Sequence, residues 1–113
     1  MNEDFVTYEL AVKLKRKGFD KDTVHYYNEL GQICVSLVDE GYPYPCPTIS
    51  QVLKWLREEK KLHIVIDFDG GMNWYYQIAL YGLTTYEKES EHKYNSYEQA
   101  VLAGIEYVLD NLI

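Results

Sequence analysis

Cys34 and Cys46 are the only cysteines in 113 residues. They allow at most one disulfide, so a fold framed by bridges is excluded by count. Proline is confined to Pro43, Pro45 and Pro47, and no stretch rich in Pro, Gly or Ser marks a linker, so residues 1–113 read as a single domain. No apolar run approaches the ~20 residues that a membrane-spanning helix needs. Bases are outnumbered, eleven against eighteen acids, for a formal charge of −7. A field of that sign repels a phosphate backbone and disfavours direct nucleic-acid binding. The bases that do cluster (Lys13, Lys15, Arg16, Lys17 and Lys54, Arg57, Lys60, Lys61) fall near the ends of predicted helices, where cations meet the negative end of the helix dipole.

Apolar residues make up 47% of the chain, enough to argue against disorder. The opening Met1-Asn2-Glu3-Asp4-Phe5 is acidic where a signal peptide is basic, and no apolar run follows. The expectation is a cytoplasmic protein with both thiols reduced. Cys34, inside Ile33-Cys34-Val35, reads as a buried and inert thiol.

Helical spacing predicts a first helix over 8–17, with Thr7 as N-cap, Gly18 as stop and Tyr8, Ala11, Val12 and Leu14 as its apolar stripe. Phe19 is placed to fold back on that stripe. Thr23 to Tyr27 and Gln32 to Val38 read as a hairpin around Asn28-Glu29-Leu30-Gly31. Gly41 to Pro47 cannot be helix and reads as a stiff connector. Thr48 and Gln51 form a capping box for a second helix with Ile49, Val52, Leu53 and Leu56 on one side and Lys60-Lys61 at its end; Trp55 falls off that stripe.

A second hairpin follows. Leu62, Ile64, Ile66 and Phe68 alternate with His63, Val65 and Asp67, and Trp74, Tyr76, Ile78 and Leu80 alternate with Tyr75, Gln77, Ala79 and Tyr81. A two-residue turn at Gly70-Gly71 would set Ile64 opposite Gln77 and mix the faces. A three-residue turn over Gly70 to Met72 sets Ile64 opposite Ile78 and Ile66 opposite Tyr76, and is preferred because a one-residue slip exchanges faces. Residues 82–95 are polar and read as a loop or a short edge strand around Tyr86. The last helix follows a capping pair, Ser96 and Gln99, with Gly104 inside it costing about 1 kcal/mol relative to Ala. A bare Cα there lets the helix approach the sheet. The predicted fold is α+β, an antiparallel sheet of about four strands with three helices packed on one face, in the order helix-hairpin-helix-hairpin-helix.

Chemistry is sparse. His25, His63 and His92 show no metal-ligand spacing, and no Cys-x-x-Cys occurs. A zinc site from His25, Cys34, Cys46 and His63 would need the strands to converge. Asp67 and Asp69 beside Gly70-Gly71 could hold a cation, but they are also what a turn requires; EF-hand, Walker and dinucleotide patterns are missing. The expectation is a non-enzymatic chain with no cofactor, no metal and no catalytic residues.

The compositional excess is aromatic: twelve tyrosines, two tryptophans and three phenylalanines. If helices cover the isoleucine row of the second hairpin, the opposite row (His63, Val65, Tyr75, Gln77, Ala79 and Tyr81) is left as a partly apolar patch. That patch either buries itself against a second copy or is simply solvated tyrosine; the two readings stand side by side.

Pro47-Thr48, Lys54-Trp55-Leu56-Arg57-Glu58 leading into Leu62-His63-Ile64, and Ser96-Tyr97-Glu98-Gln99-Ala100 through Gly104-Ile105 to Leu112-Ile113 together resemble a group of short uncharacterised proteins of gut Bacteroidales and their phages and mobile elements. The likeness covers roughly residues 47 to 113. It implies a host-cytoplasm setting and an accessory role, and carries over no functional residue.

The leading functional expectation is an accessory or interaction protein with a protein partner, self-associating as a homo-oligomer through the aromatic sheet face. The alternative is an acidic regulator, antitoxin-like or inhibitory, of a nucleic-acid-binding protein, motivated by Glu98, Glu106 and Asp110 and by Glu87, Glu89 and Glu91. A third reading places a small-ligand site in the Tyr42 to Cys46 connector, where prolines preorganise two aromatics and a thiol.

Overall fold

The computed structural model describes residues 5–35, 44–80 and 86–113. Its elements run α1 (Tyr8–Arg16), β1 (His25–Tyr27), β2 (Ile33–Val35), β3 (Tyr44–Pro45), α2 (Ile49–Glu59), β4 (Leu62–Phe68), β5 (Trp74–Leu80), β6 (Tyr86–Glu89) and α3 (Tyr97–Asn111). The fold is α+β with antiparallel pairing throughout. The chain divides into two compact units, Met1–Val52 and Leu53–Ile113, with the boundary inside α2. No helix among the described residues is long and apolar enough to cross a membrane.

The predicted single sheet of about four strands is corrected to two three-stranded sheets, β2-β1-β3 and β4-β5-β6. Two segments supply the added strands: one expected as a connector, the other, around Tyr86, as either a loop or a short edge strand. Proline-stiffened Tyr44–Pro45 is extended and pairs beside β1, and Tyr86–Glu89 pairs beside β5. Each hairpin is thus completed by its own following strand. The helices are divided accordingly: α1 packs on β3, and α3 packs on β4 and β5.

In the first unit, Thr7 caps α1 by accepting from the Leu10 amide at 3.3 Å. Gly18, at φ +91°, ends it: the Phe19 amide reaches back to the Leu14 carbonyl (3.0 Å) and the Gly18 amide to that of Lys15 (3.2 Å). This paired closure folds Phe19 under the last turn, where it is buried as expected. Leu10 joins Ala11 and Leu14 as buried, while Tyr8 and Val12 stay half-buried. The Tyr8 ring meets Tyr27 and Tyr44 edge-on, at 5.5 and 5.6 Å between centroids. Tyr27 is buried and donates its hydroxyl to the Val6 carbonyl at 2.6 Å. Thr48 and Gln51 form the capping box of α2, each side chain accepting from the other's amide (2.9 and 3.2 Å).

Cys34 departs from its reading as a buried thiol. It is half-buried on β2, an edge strand, and Cys46 is the buried cysteine. The apolar run around Cys34 misleads because, among the described residues, β2 has a β-neighbour on one side only.

In the second unit, β4 and β5 adopt the expected register, Ile64 opposite Ile78 and Ile66 opposite Tyr76. On the expected face Leu62, Ile64, Tyr76 and Ile78 are buried, Ile66 and Trp74 are half-buried, and Phe68 and Leu80 at its ends are exposed. Gly104 of α3 sits directly on it, since an added Cβ would lie 3.1 Å from Ile64 Cγ2 and 3.2 Å from Tyr76 Cγ. Ser96 caps α3 by accepting from the Gln99 amide (3.1 Å), and the Gln99 side chain accepts from Asn95 rather than from Ser96. Trp55, left off the stripe of α2 in sequence, is buried. Its ring carries the Lys60 ammonium 5.3 Å from the centroid.

Candidate functional site

Two surfaces carry the residues of interest, one in each unit. On the β4–β5 face opposite α3, the register sets His63 beside Ala79, Val65 beside Gln77 and Asp67 beside Tyr75. Five of the six residues singled out in sequence therefore share one face; the sixth, Tyr81, lies outside the described residues. The row is not open apolar surface. Ala79 is only 4% exposed, and His63, Val65, Tyr75 and Gln77 are half-buried.

Two residues of the row, Tyr75 and Gln77, are engaged from β6 and the stretch that follows it. After β6, Ser90 continues the ladder: its amide donates to the Tyr76 carbonyl (2.9 Å) and its hydroxyl accepts from the Tyr76 amide (2.9 Å). Tyr94 then resumes pairing with Trp74 (2.8 and 3.1 Å). One residue of β5, Tyr75, is thus spanned by three on the neighbouring segment, and Glu91, His92 and Lys93 loop out.

The looped-out His92 stacks on Tyr75, with ring centroids 3.8 Å apart and planes 13° from parallel. Its Nδ1 lies 3.4 Å from Asp69 and its Nε2 lies 3.5 Å from Glu89. Glu89 in turn accepts from the Gln77 amide at 2.8 Å, and Tyr75 donates to Asp67 at 3.5 Å. Amides of Gly71 and Asn73 bonded to Asp69, with His92 beside it, hold its carboxyl below the usual aspartate range. Partial desolvation, aided by the charges of Asp67 and Glu89, pushes the Tyr75 phenol up. This polar chain ties up Tyr75 and Gln77, two of the expected contact residues. Period-2 alternation reveals the row but not what a third strand lays across it. The signal that was available was Asp69 and His92 both lying near hairpin ends.

The second surface is the β1–β2 hairpin. Val24 is 67% exposed, Leu30 83%, Ile33 49% and Val35 53%. Sequence reading passed over these because β-branched alternation reads equally as core strand. Asn28 shapes the turn, its side-chain oxygen accepting from the amides of Leu30 (2.8 Å) and Gln32 (3.0 Å). Gly31 takes φ +79°, and an added Cβ there would lie 3.3 Å from the Tyr8 ring.

Among the described residues no group of three or more His, Cys, Asp or Glu side chains is arranged to hold a metal ion. His25 packs its ring on Phe5, at 4.6 Å between centroids. Cys46 is buried, and burial pushes its thiol up against a smaller opposing effect of Tyr27, which makes it a poor nucleophile and ligand. Of the Tyr42–Cys46 connector, Tyr42 and Pro43 lie outside the described residues; Tyr44 packs its ring against Tyr8 and under the Lys15 ammonium (5.5 Å to the centroid).

No family model matches the chain, and no curated protein or solved structure matches it.

Proposed function

We propose that this chain is a non-enzymatic interaction protein of the cytoplasm that works by binding another protein through the β1–β2 hairpin. One observation carries the reading: Ile33 and Val35 are exposed side by side on one face of β2, and Leu30 is exposed in the turn just before it. Scattered single apolar residues on a surface need no explanation, whereas a contiguous group reads as a contact site. The β4–β5 row, the surface favoured from sequence, offers less: Ala79 is buried and Tyr75 and Gln77 are engaged by His92 and Glu89. A photoreactive amino acid placed at Leu30 in expressing cells should give discrete protein adducts, and the same group at exposed Glu98 should not. Equal labelling at both positions, or none at Leu30, contradicts the reading.

A second reading, an acidic regulator of a nucleic-acid-binding protein, is supported by Glu98, Glu106 and Asp110, all exposed on α3. Exchange of the three for Gln and Asn should then abolish binding to its target protein while leaving the Leu30 adducts intact. Target binding that survives the exchange contradicts this second reading.

A further inference from the structure

The partner chemistry of the β1–β2 hairpin is legible in its backbone. The Asn28 amide donates to the Gln32 carbonyl at 3.0 Å, which fixes the parity of the ladder. Residues 28 and 32 turn their backbones toward each other, and so do Tyr26 and Cys34, two steps along. Ile33 and Val35 therefore turn their N–H and C=O groups away from β1. The Cys46 amide donating to the His25 carbonyl at 2.9 Å agrees, because His25, opposite Val35, faces β3. No described strand lies beyond β2, so its outer edge presents two donors and two acceptors beside two exposed aliphatic side chains. Such an edge is a template for another strand.

Two features say which strand. Leu30 to Val35 carries no charge in a chain of net charge −7, so it is a place where two like-charged copies can meet without repulsion. The edge is also self-complementary: turned antiparallel about Cys34, Ile33 of one copy faces Val35 of the other, each amide meeting the other's carbonyl. We infer, building on the interaction reading above, that the partner is a second copy of this chain, paired β2 to β2 across a two-fold axis at Cys34.

The arrangement has a chemical signature. Cys34 points its backbone inward, so the two cysteines form a non-hydrogen-bonded antiparallel pair, with Cα atoms about 4.5 Å apart. That separation lies within the roughly 4.4–6.8 Å range that a disulfide accepts. Diamide should then join the two copies: each thiol gives up a proton and an electron, the S–S bond forms, and the N=N bond of diamide is reduced to its hydrazine. Cys46 is buried and does not compete.

The test combines sedimentation equilibrium of the reduced protein with diamide cross-linking. The expected result is a concentration-dependent rise toward twice the 13.3 kDa chain mass, and a cross-linked dimer lost in Cys34→Ser while that variant still sediments as a dimer. Ile33→Lys and Val35→Pro should each abolish both signals. The proline removes an outward amide that β1 does not use, and a melting temperature matching that of the unsubstituted protein at dilutions where both are monomeric shows that the monomer fold remains. A dimer that survives both substitutions overturns the edge pairing and leaves the interaction reading standing. A monomer at every concentration, or a cross-link without a sedimenting dimer, overturns the second copy as partner; the Leu30 adducts then decide the interaction reading by themselves.

Discussion

The β1–β2 and β4–β5 hairpins close with the same device and end in opposite condition. In each, the first residue of the turn accepts, through a side-chain oxygen, from amides two and four residues on. Asn28 bonds Leu30 and Gln32 in one, and Asp69 bonds Gly71 (2.7 Å) and Asn73 (3.3 Å) in the other. Each closes with an amide-to-carbonyl bond of 3.0 Å, and each has a residue at positive φ in fourth position, Gly31 at +79° and Met72 at +84°. Beyond the turns they diverge. Seven-residue strands give β4–β5 a row in which Leu62, Ile64, Tyr76 and Ile78 are buried under α3, with Phe68 and Leu80 left exposed at its ends, and a second row in which Glu89 and His92 engage Gln77 and Tyr75. In the first unit three-residue β1 is flanked by β2 and by two-residue β3, and Ile33 and Val35 of β2 stay exposed. Turn chemistry sets where a hairpin bends; strand length and what lies across it set whether its surface is spent inside the fold or left for a partner.

Several substitutions sharpen that contrast. The largest effect is expected where the second hairpin meets its helix. Gly104→Val forces a side chain into Ile64 and Tyr76 and should cost ~3 kcal/mol in denaturant melts, although valine is the better helix former of the two. Ser90→Ala should cost about 2 kcal/mol, because the buried Tyr76 amide loses its acceptor. Gly31→Ala, strained at φ +79° and crowding the Tyr8 ring, should cost about 1–2 kcal/mol and lower the melting temperature. The matching exchange in the other turn runs the opposite way. Met72→Gly relieves a positive φ under an exposed side chain and should raise stability by about 0.5–1 kcal/mol. If Met72→Gly destabilises, the two turns are not equivalent.

The smallest expected effect separates Asp69 from Asn28. Asp69 titrates in the folded protein below the 3.8 of a free aspartate, chiefly because the Gly71 amide bonds its carboxylate. Its contribution is therefore present above 3.8 and lost as pH falls through the lower folded value. The Gly71 amide resonance should shift in that acid range, whereas the Leu30 amide, bonded to a neutral Asn28 side chain, should not.

How far the sequence reaches can be judged on the same residues. The β4–β5 register was legible because one face must be dry, and a slip of one residue would have placed Gln77 among the isoleucines. The Thr48 and Ser96 caps and the close approach at Gly104 were legible because each is a local requirement with a local residue pattern. The division into two sheets was not, since Tyr44–Pro45 and Tyr86–Glu89 pair through backbone groups that every residue carries. The condition of Cys34 was missed for a related reason: Ile33-Cys34-Val35 spells a core strand, and only its neighbours decide whether it is covered. His92 over Tyr75 depends on a looped-out stretch of three residues, for which the sequence holds no periodic signal.

Amide hydrogen exchange at Ile33 and Val35, followed by NMR from dilute to concentrated protein, tests the outward-facing edge of β2 most directly. Both amides should exchange quickly when dilute and slow together as concentration rises, while the Cys34 amide, turned toward β1, keeps one rate throughout. Rates at Ile33 and Val35 that ignore concentration, or slow exchange there in dilute solution, would contradict the account.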